Sequence, residues 1–336
     1  MKAGTTKDFR AACAAVLAII SSGAWAQDRL PSWNDGAPKK AILSFVAAIT
    51  KSGTADYVAP ADRIAVFDND GTLWSEQPYY NQLAFALDRV KALAPAHPEW
   101  KTREPFASIL RNDLKTLLSG DEKEITGKLL QVVNATHTGM TETAFRQIVN
   151  DWIEKARHPE TGRLYTKMVY QPMMELLAYL RKNEFKIYIV SGGGVDFMRA
   201  WTERIYGVPP QQVIGSRTKL KFEMRDGDPT IVRLPEIDFI DDKAGKPVGI
   251  MQRVGRRPIA AFGNSDGDLE MMQWTCLGRI QPTLCMYVHH TDEVREWAYD
   301  RRSAVGKLDQ GLDQAAANGW PVIDMKTQWN QIFPPQ

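Results

Sequence analysis

The chain has 336 residues, 44% of them hydrophobic and 24% charged, the make-up of a globular protein with room for one large or two modest domains. Its formal net charge is +2, and Lys2, Lys7, Arg10 and Asp8 all fall in the first turns of sequence. The remainder is therefore near neutral and lacks the basic bias that nucleic acid or an anionic lipid surface would attract. No apolar run approaches the roughly 18 residues of a membrane span.

Lys2, Lys7 and Arg10 precede an apolar stretch from Ala11 to Ile20, and Ala24-Trp25-Ala26 supplies the small residues of a cleavage site. That order predicts a signal peptide over residues 1–26, cut before Gln27, and an exported, periplasmic or secreted chain. Cys13 stands at the front of the apolar run, which argues against a lipid anchor. Residues 27–37 read as an extended lead-in. Pro38 then opens an amphipathic helix to about Lys51 with Ile42, Leu43, Phe45, Val46 and Ile49 on one face.

Ile64 to Phe67 has the length and composition of a buried strand, and the chain turns abruptly at Asp68-Asn69-Asp70-Gly71-Thr72. Side chains two apart on a strand point the same way, so Asp68 and Asp70 should emerge together and repel unless a cation or a proton intervenes. The same residues are also good turn formers. Four amphipathic stretches follow, Tyr79 to Leu93, Glu104 to Leu118, Glu122 to Asn134 and Thr141 to Ala156, separated by Pro95, Pro98, Gly120 and Gly139.

Gln171-Pro172 starts another helix, to Lys182, which feeds a second apolar strand, Ile187 to Val190, ending in Ser191-Gly192-Gly193-Gly194. A helix from Asp196 to Tyr206 stops at Gly207. Val213 to Ser216 reads as a short strand, Lys219 to Phe239 as a β-hairpin and Asp241 to Val254 as a helix carrying Lys243 and Lys246. Ile259 to Phe262 is a further apolar strand, followed by Gly263-Asn264-Ser265-Asp266-Gly267-Asp268 and a helix to Trp274. Leu284 to Val288 reads as the last strand, ending at His289-His290. Cys276 and Cys285 are nine residues apart. In an oxidising compartment they can close a small loop, and the alternative is two buried thiols.

Strands alternating with helices imply an α/β fold with a doubly wound parallel sheet, and strands apolar throughout fit burial on both faces. Ligands of such sheets bind outside the carboxyl ends of the strands. Asp68, Asp70, Ser191, Gly192, Asn264 and Asp268 all follow such ends and should converge.

The DNDGT stretch after an apolar strand, with VSGGG and GNSDGD following in order, resembles the haloacid dehalogenase (HAD) superfamily of aspartate-nucleophile phosphotransferases, most of all its phosphoserine phosphatase and acid phosphatase branch, over residues 64–275. The resemblance implies a Rossmann-like core of residues 27–76 and 168–336 with a helical cap, residues 77–167, inserted after the first core strand. It implies Asp68 as nucleophile and Asp70 as acid and base, and Mg²⁺ held by Asp68, Asp70, Asn264 and Asp268. Ser191 and Gly192, with Thr72 and the substrate-reading candidate Glu76, would bind phosphate and substrate. Lys246 would offset charge, with Lys243 in reserve.

Asn264 departs from the pattern, since the family commonly has an aspartate there; Asp266 is expected to face solvent. The second aspartate, Asp70, favours phosphoester over carbon–halogen cleavage, because a departing alkoxide needs a proton. The expected activity is Mg²⁺-dependent phosphomonoester hydrolysis of a small molecule, with no nucleic-acid or membrane partner. The alternatives are a phosphotransferase or phosphomutase and a non-catalytic binder of a phosphorylated ligand. Arg103, Arg111, Lys115 and Arg146 of the cap are unranked candidates for reading the substrate. A catalytic part for His289 or His290 is disfavoured, because neighbours on a strand face opposite ways.

Overall fold

The computed structural model describes residues 29–335 besides Met1; the segment expected as a signal peptide lies outside the described residues. Helix α1 (Ala37–Thr50) has Pro38 in its first turn, where a missing N–H costs nothing, and buries Ile42, Phe45, Val46 and Ile49. Strand β1 (Ile64–Phe67) is buried at every position. The helical insert follows as α2 (Asn81–Leu93), α3 (Phe106–Leu110), α4 (Leu114–Leu117), α5 (Glu122–His137) and α6 (Glu142–Ile153). The helix expected from Glu104 to Leu118 is broken into two short pieces, because Asn112 between them takes a left-handed φ of 58°.

The chain returns through α7 (Gln171–Lys182) to β2 (Lys186–Gly194), then α8 (Val195–Arg199) and α9 (Thr202–Tyr206), the last ended by Gly207 at φ 65°. Strands β3 (Val213–Arg225) and β4 (Asp228–Phe239) form a long hairpin, so the short strand expected at Val213 and the first hairpin arm are one continuous element. After α10 (Gly245–Val254) come β5 (Ala260–Gly263), α11 (Leu269–Cys276) and β6 (Leu284–Thr291). The expected last strand is not last: β7 (Ala298–Tyr299), α12 (Gln310–Asn318), β8 (Val322–Asp324) and α13 (Met325–Gln328) follow it.

Among the described residues the sheet order is β4-β3-β2-β1-β5-β6-β7, with β8 also on β6. Pairings among β3, β2, β1, β5, β6 and β8 are parallel, and β4 and β7 join antiparallel. Alternation along β1 splits the interior into two layers. Ala65 and Phe67 join Ile42 and Leu176 on one face, while Ile64 and Val66 join Ile250 and Met271 on the other. This is the two-faced burial that an apolar parallel strand requires. The insert has a core of its own around Val90, Trp100, Phe106 and Val132. It is stitched to the hairpin by Gly139 N–H to Arg233 O at 2.9 Å and Arg233 N–H to Met140 O at 3.0 Å. Cys276 and Cys285 are disulfide-bonded.

Candidate active site

Register places the site. Phe67, the last residue of β1, lies opposite Ile189 of β2 and Phe262 of β5, so the loops after all three strands leave the sheet side by side. Asp68 N–H still bonds Phe262 O at 2.9 Å before the chain turns away. Gly71 then adopts φ 73°, and a Cβ there would lie 2.0 Å from Asn264 Nδ2 and 2.4 Å from Glu76 Oε1. Glycine is thus required both for the left-handed turn and for the close approach of the loop after β5.

Lys246, from the first turn of α10, reaches into this junction. Its Nζ donates to Asp68 Oδ1 at 2.6 Å, to Asp268 Oδ1 at 2.6 Å and to Val190 O at 3.0 Å, which satisfies all three ammonium hydrogens. Burial alone would lower its pKa, but Asp268 and Asp68 outweigh that and hold it above the ordinary lysine value. Lys243, the reserve candidate, is exposed, precedes the helix at φ 49°, and its main chain donates to Gly267 O and accepts the Lys246 N–H.

The second oxygen of Asp268 accepts the N–H groups of Asn264 and Ser265, both at 3.0 Å, so both of its oxygens are spoken for. Ser265 and Asp268 form a reciprocal capping box at the start of this turn. Asp266, expected in solvent, instead accepts the N–H groups of Asp309 and Gly311 and anchors the start of α12. Small loop N–H groups without partners attract the nearest carboxylate, and sequence offered no view of that distant loop.

Ser191 is buried, and its Oγ accepts the Gly193 N–H at 3.1 Å; Gly192 is exposed toward the cavity. Gly194 N–H donates to Gln82 Oε1 at 2.7 Å, and Gln82 Nε2 lies 3.2 Å from His137 Nε2, so the insert touches the cradle directly. His137 is pushed down to about 3 by burial, then by Arg233 and Arg89, and is neutral. Asp70 takes an indole N–H from Trp74 at 2.7 Å, and Trp74 stacks on Trp201 with centroids 4.4 Å apart. Neither Gln82 nor Trp201 carries a local sequence signal, since each is brought in by packing alone.

Thr72 is fully buried and donates from Oγ1 to Asn264 Oδ1 at 3.0 Å. Asn264 in turn donates from Nδ2 to Glu76 Oε1 at 2.7 Å, and Tyr299 OH donates to the same oxygen at 2.8 Å. Thr72 and Glu76 therefore brace the loop after β5. His290 is buried, bonded to Glu296 Oε2 at 3.1 Å and to Gly71 O at 2.8 Å, and stacks on Tyr299, whereas His289 lies near Asp300.

Burial raises Asp68 well above the usual carboxylate range, reinforced by Asp268 and opposed by Lys246. Asp70 is raised by burial, and Glu76 is raised strongly by burial and then by Asp70. Asp68, Asp70, Glu76 and Asp268 thus crowd a buried space in which Lys246 pairs only Asp68 and Asp268, a crowding of carboxylates that a hard cation would relieve. Among the described residues no three His, Cys, Asp or Glu side chains are gathered in metal-holding geometry. The groups that would hold such a cation are the Asp68 carboxylate, the Asp70 main chain and the Asn264 amide, whose Oδ1 also accepts from Thr72 at 3.0 Å, and oxygen donors of this kind suit Mg²⁺.

Above these groups lies a cavity of about 510 Å³ bounded by α2, α5 and the base of the hairpin, with Asp68, Asp70, Ser191, Gly192 and Lys246 on its floor. Arg103, Arg111, Lys115 and Arg146 do not line it; Arg111 pairs with Glu104 and Arg146 lies by Glu142. All four are exposed, where sequence had left them unranked.

A doubly wound sheet whose strand ends gather an aspartate pair, a hydroxyl and amide cradle and a buried lysine defines a class of hydrolase. Residues 65–273 match the haloacid dehalogenase-like hydrolase family, and the chain belongs to that family. No curated protein matches it in sequence.

Its fold is shared with a conserved protein of unknown function from Anaerococcus prevotii, at 18% identity and a TM-score of 0.53, covering 84% of this chain and 91% of the other. A protein of unknown function from Bordetella pertussis is similar at 16% identity and a TM-score of 0.46, covering 78% of this chain and 98% of its own. A phosphoserine phosphohydrolase-like protein from Francisella tularensis gives 13% identity and a TM-score of 0.39, covering 76% and 98%.

Proposed function

We propose that the protein is an exported, Mg²⁺-dependent phosphomonoesterase that works through an aspartyl-phosphate on Asp68. The observation that carries this is Lys246 Nζ held 2.6 Å from both Asp68 Oδ1 and Asp268 Oδ1 at the carboxyl end of the sheet. One Asp68 oxygen is fixed by that ion pair, which leaves the other to attack. Mg²⁺ held by Asp68, the Asp70 main chain and Asn264 would neutralise and orient the phosphoryl group.

In the first step an Asp68 oxygen forms a bond to phosphorus while the ester P–O bond breaks, and the departing alkoxide takes a proton from Asp70. Asp70 stands 2.7 Å from the Trp74 indole, which fixes its orientation. In the second step Asp70 accepts a proton from water as that water attacks phosphorus, the Asp68–phosphorus bond breaks, and phosphate leaves. Ser191 and the Gly192 N–H would hold the phosphoryl oxygens, with Lys246 offsetting charge on the intermediate. Asp268 then acts by positioning Lys246.

Asn264 would bring no charge to a metal, and the carboxylate of Glu76, which accepts the Asn264 amide N–H at 2.7 Å, would stand behind it. Export is supported by the signal pattern of the first 26 residues and by the Cys276–Cys285 bond, which suits an oxidising compartment. Phosphate release from phenyl phosphate with Mg²⁺ tests the reading. Wild type should turn over and Asp68→Asn should not, with its circular dichroism unchanged. Equal release by the two proteins, or none by wild type from any phosphate ester, overturns it.

A further inference from the structure

The walls of the cavity differ sharply from its floor. Leu83 of α2, Leu129, Leu130 and Val133 of α5, and Ile237 and Ile240 at the foot of the hairpin face into it. Leu129 and Val133 are one helical turn apart, as are Leu130 and Val133, so α5 presents a continuous apolar strip. Three of these side chains are left in water, with Leu130 37%, Ile237 38% and Ile240 60% exposed. Apolar surface gathered around a concave site, rather than scattered, marks a surface that something apolar covers.

Every cation on the lining already has an anion. Lys246 is shared between Asp68 and Asp268. Arg233 pairs with Asp196, donates to His137 O at 2.6 Å and lies over the Phe145 ring. Arg217 donates to Asp238 at 2.6 Å and lies over Phe239. His137 is uncharged. Asp242 also lines the cavity. A substrate bearing a carboxylate or a second phosphate would thus bring an anion to a wall with no unmatched positive charge, and desolvating it there is unfavourable.

Resting on the phosphomonoesterase reading, we infer that the preferred substrate is the phosphate monoester of an apolar alcohol. Its hydrocarbon lies against Leu129, Leu130, Val133, Ile237 and Ile240. Phosphoserine, sugar phosphates and nucleotides are then poor substrates, because their polar bodies would give up hydrogen bonds to water against this aliphatic strip without replacing them.

The test is a chain-length series of n-alkyl phosphates, methyl to octyl, on the full protein with Mg²⁺. The alcohols have similar intrinsic leaving ability, so the series isolates binding of the chain. The kcat/KM should rise two- to four-fold per methylene, the range expected from burial of about 0.8 kcal/mol per CH₂, until the cavity is filled. A terminal carboxylate on hexyl phosphate should cost at least ten-fold, and phosphoserine should fall below butyl phosphate. Leu130→Asp, a change at a partly exposed position, should flatten the rise. A flat series, or phosphoserine above hexyl phosphate, overturns the substrate class while leaving the phosphatase intact. Absence of hydrolysis across the whole series while phenyl phosphate is hydrolysed also overturns the substrate class, and absence of hydrolysis of both overturns the phosphatase reading itself.

Discussion

The floor and the wall of the cavity are built on opposite principles. On the floor, each polar group is fixed by named partners in a buried setting: three acceptors around the Lys246 ammonium, two main-chain donors on one Asp268 oxygen, an indole on Asp70. On the wall, the strip from α5 to the foot of the hairpin is apolar, partly exposed and without direction, and the charged groups beside it, Arg217 and Arg233, are turned to their own carboxylates. In the proposed reaction the preorganised floor does chemistry that is the same for any phosphate ester, whereas the apolar wall would sort esters by what the phosphate is attached to. A fold can therefore keep one and change the other.

The largest effects should come from breaking the floor. Asp68→Asn should lower phosphate release by about three orders of magnitude or more, since in the proposed reaction it removes the nucleophile, with unfolding stability changed far less. Release measured in a stopped assay, beside urea unfolding of the same sample, separates the two. Lys246→Met should do both kinds of damage. It leaves Asp68 and Asp268 as uncompensated buried charges, and breaking such a pair costs about 3–5 kcal/mol. A loss of stability below about 1 kcal/mol in urea would mean that the ammonium is not the pivot of these two acids.

How much of this was legible in the sequence follows the same division. Asp68, Asp70, Ser191, Asn264 and Asp268 all stand at or near the carboxyl ends of short apolar runs, and parallel pairing of those runs brings them together, as alternation of strands and helices implied, whereas Lys246 lies on a helix and was singled out by the family resemblance alone. Periodicity could not show where helices end. Nothing apolar marked the break at Asn112, and Lys243 and Lys246 read as one helix until the observed start at Gly245 separated them.

Partners set by tertiary packing were invisible. Gln82 on the Gly194 N–H, Tyr299 on Glu76 and Asp266 beneath α12 each join segments far apart in sequence, and no local pattern carries such information. Glu76 was legible as a carboxylate close to the site, but its bond to Asn264 was not.

That bond gives the next test. Asn264→Asp would restore the acid common in the family and set a second carboxylate against Glu76, which now accepts the amide at 2.7 Å in a buried place. The expected result is a loss of about 1–3 kcal/mol in stability and weaker Mg²⁺ binding by calorimetry. Adding Glu76→Gln should recover most of both. If Asn264→Asp alone binds Mg²⁺ more tightly at no cost in stability, the charge at Glu76 does not stand in for the missing one.

The smallest effect concerns a group at the border of floor and wall. Asp241 is fully buried, neither oxygen has a partner at full hydrogen-bond distance, and burial pushes its pKa up to about 7, with Asp242 adding to it, against the pull of Lys246, Arg217 and the Ser191 main chain. An unfolded aspartate gives up its proton near 3.9, so between that pH and 7 the folded chain holds a proton the unfolded chain has lost, and stability falls as pH rises.

Asp241→Asn removes the ionisable group without changing shape. The variant's advantage over wild type should therefore grow with pH and level off above 7. Between pH 6 and pH 8 the gap in unfolding free energy should widen by roughly 1 kcal/mol. Because every other titrating group is common to both chains, the difference isolates Asp241. A gap that stays constant across that interval would show that the carboxyl reaches water or a donor, and that the hairpin foot beside Ser191 is looser than its burial implies.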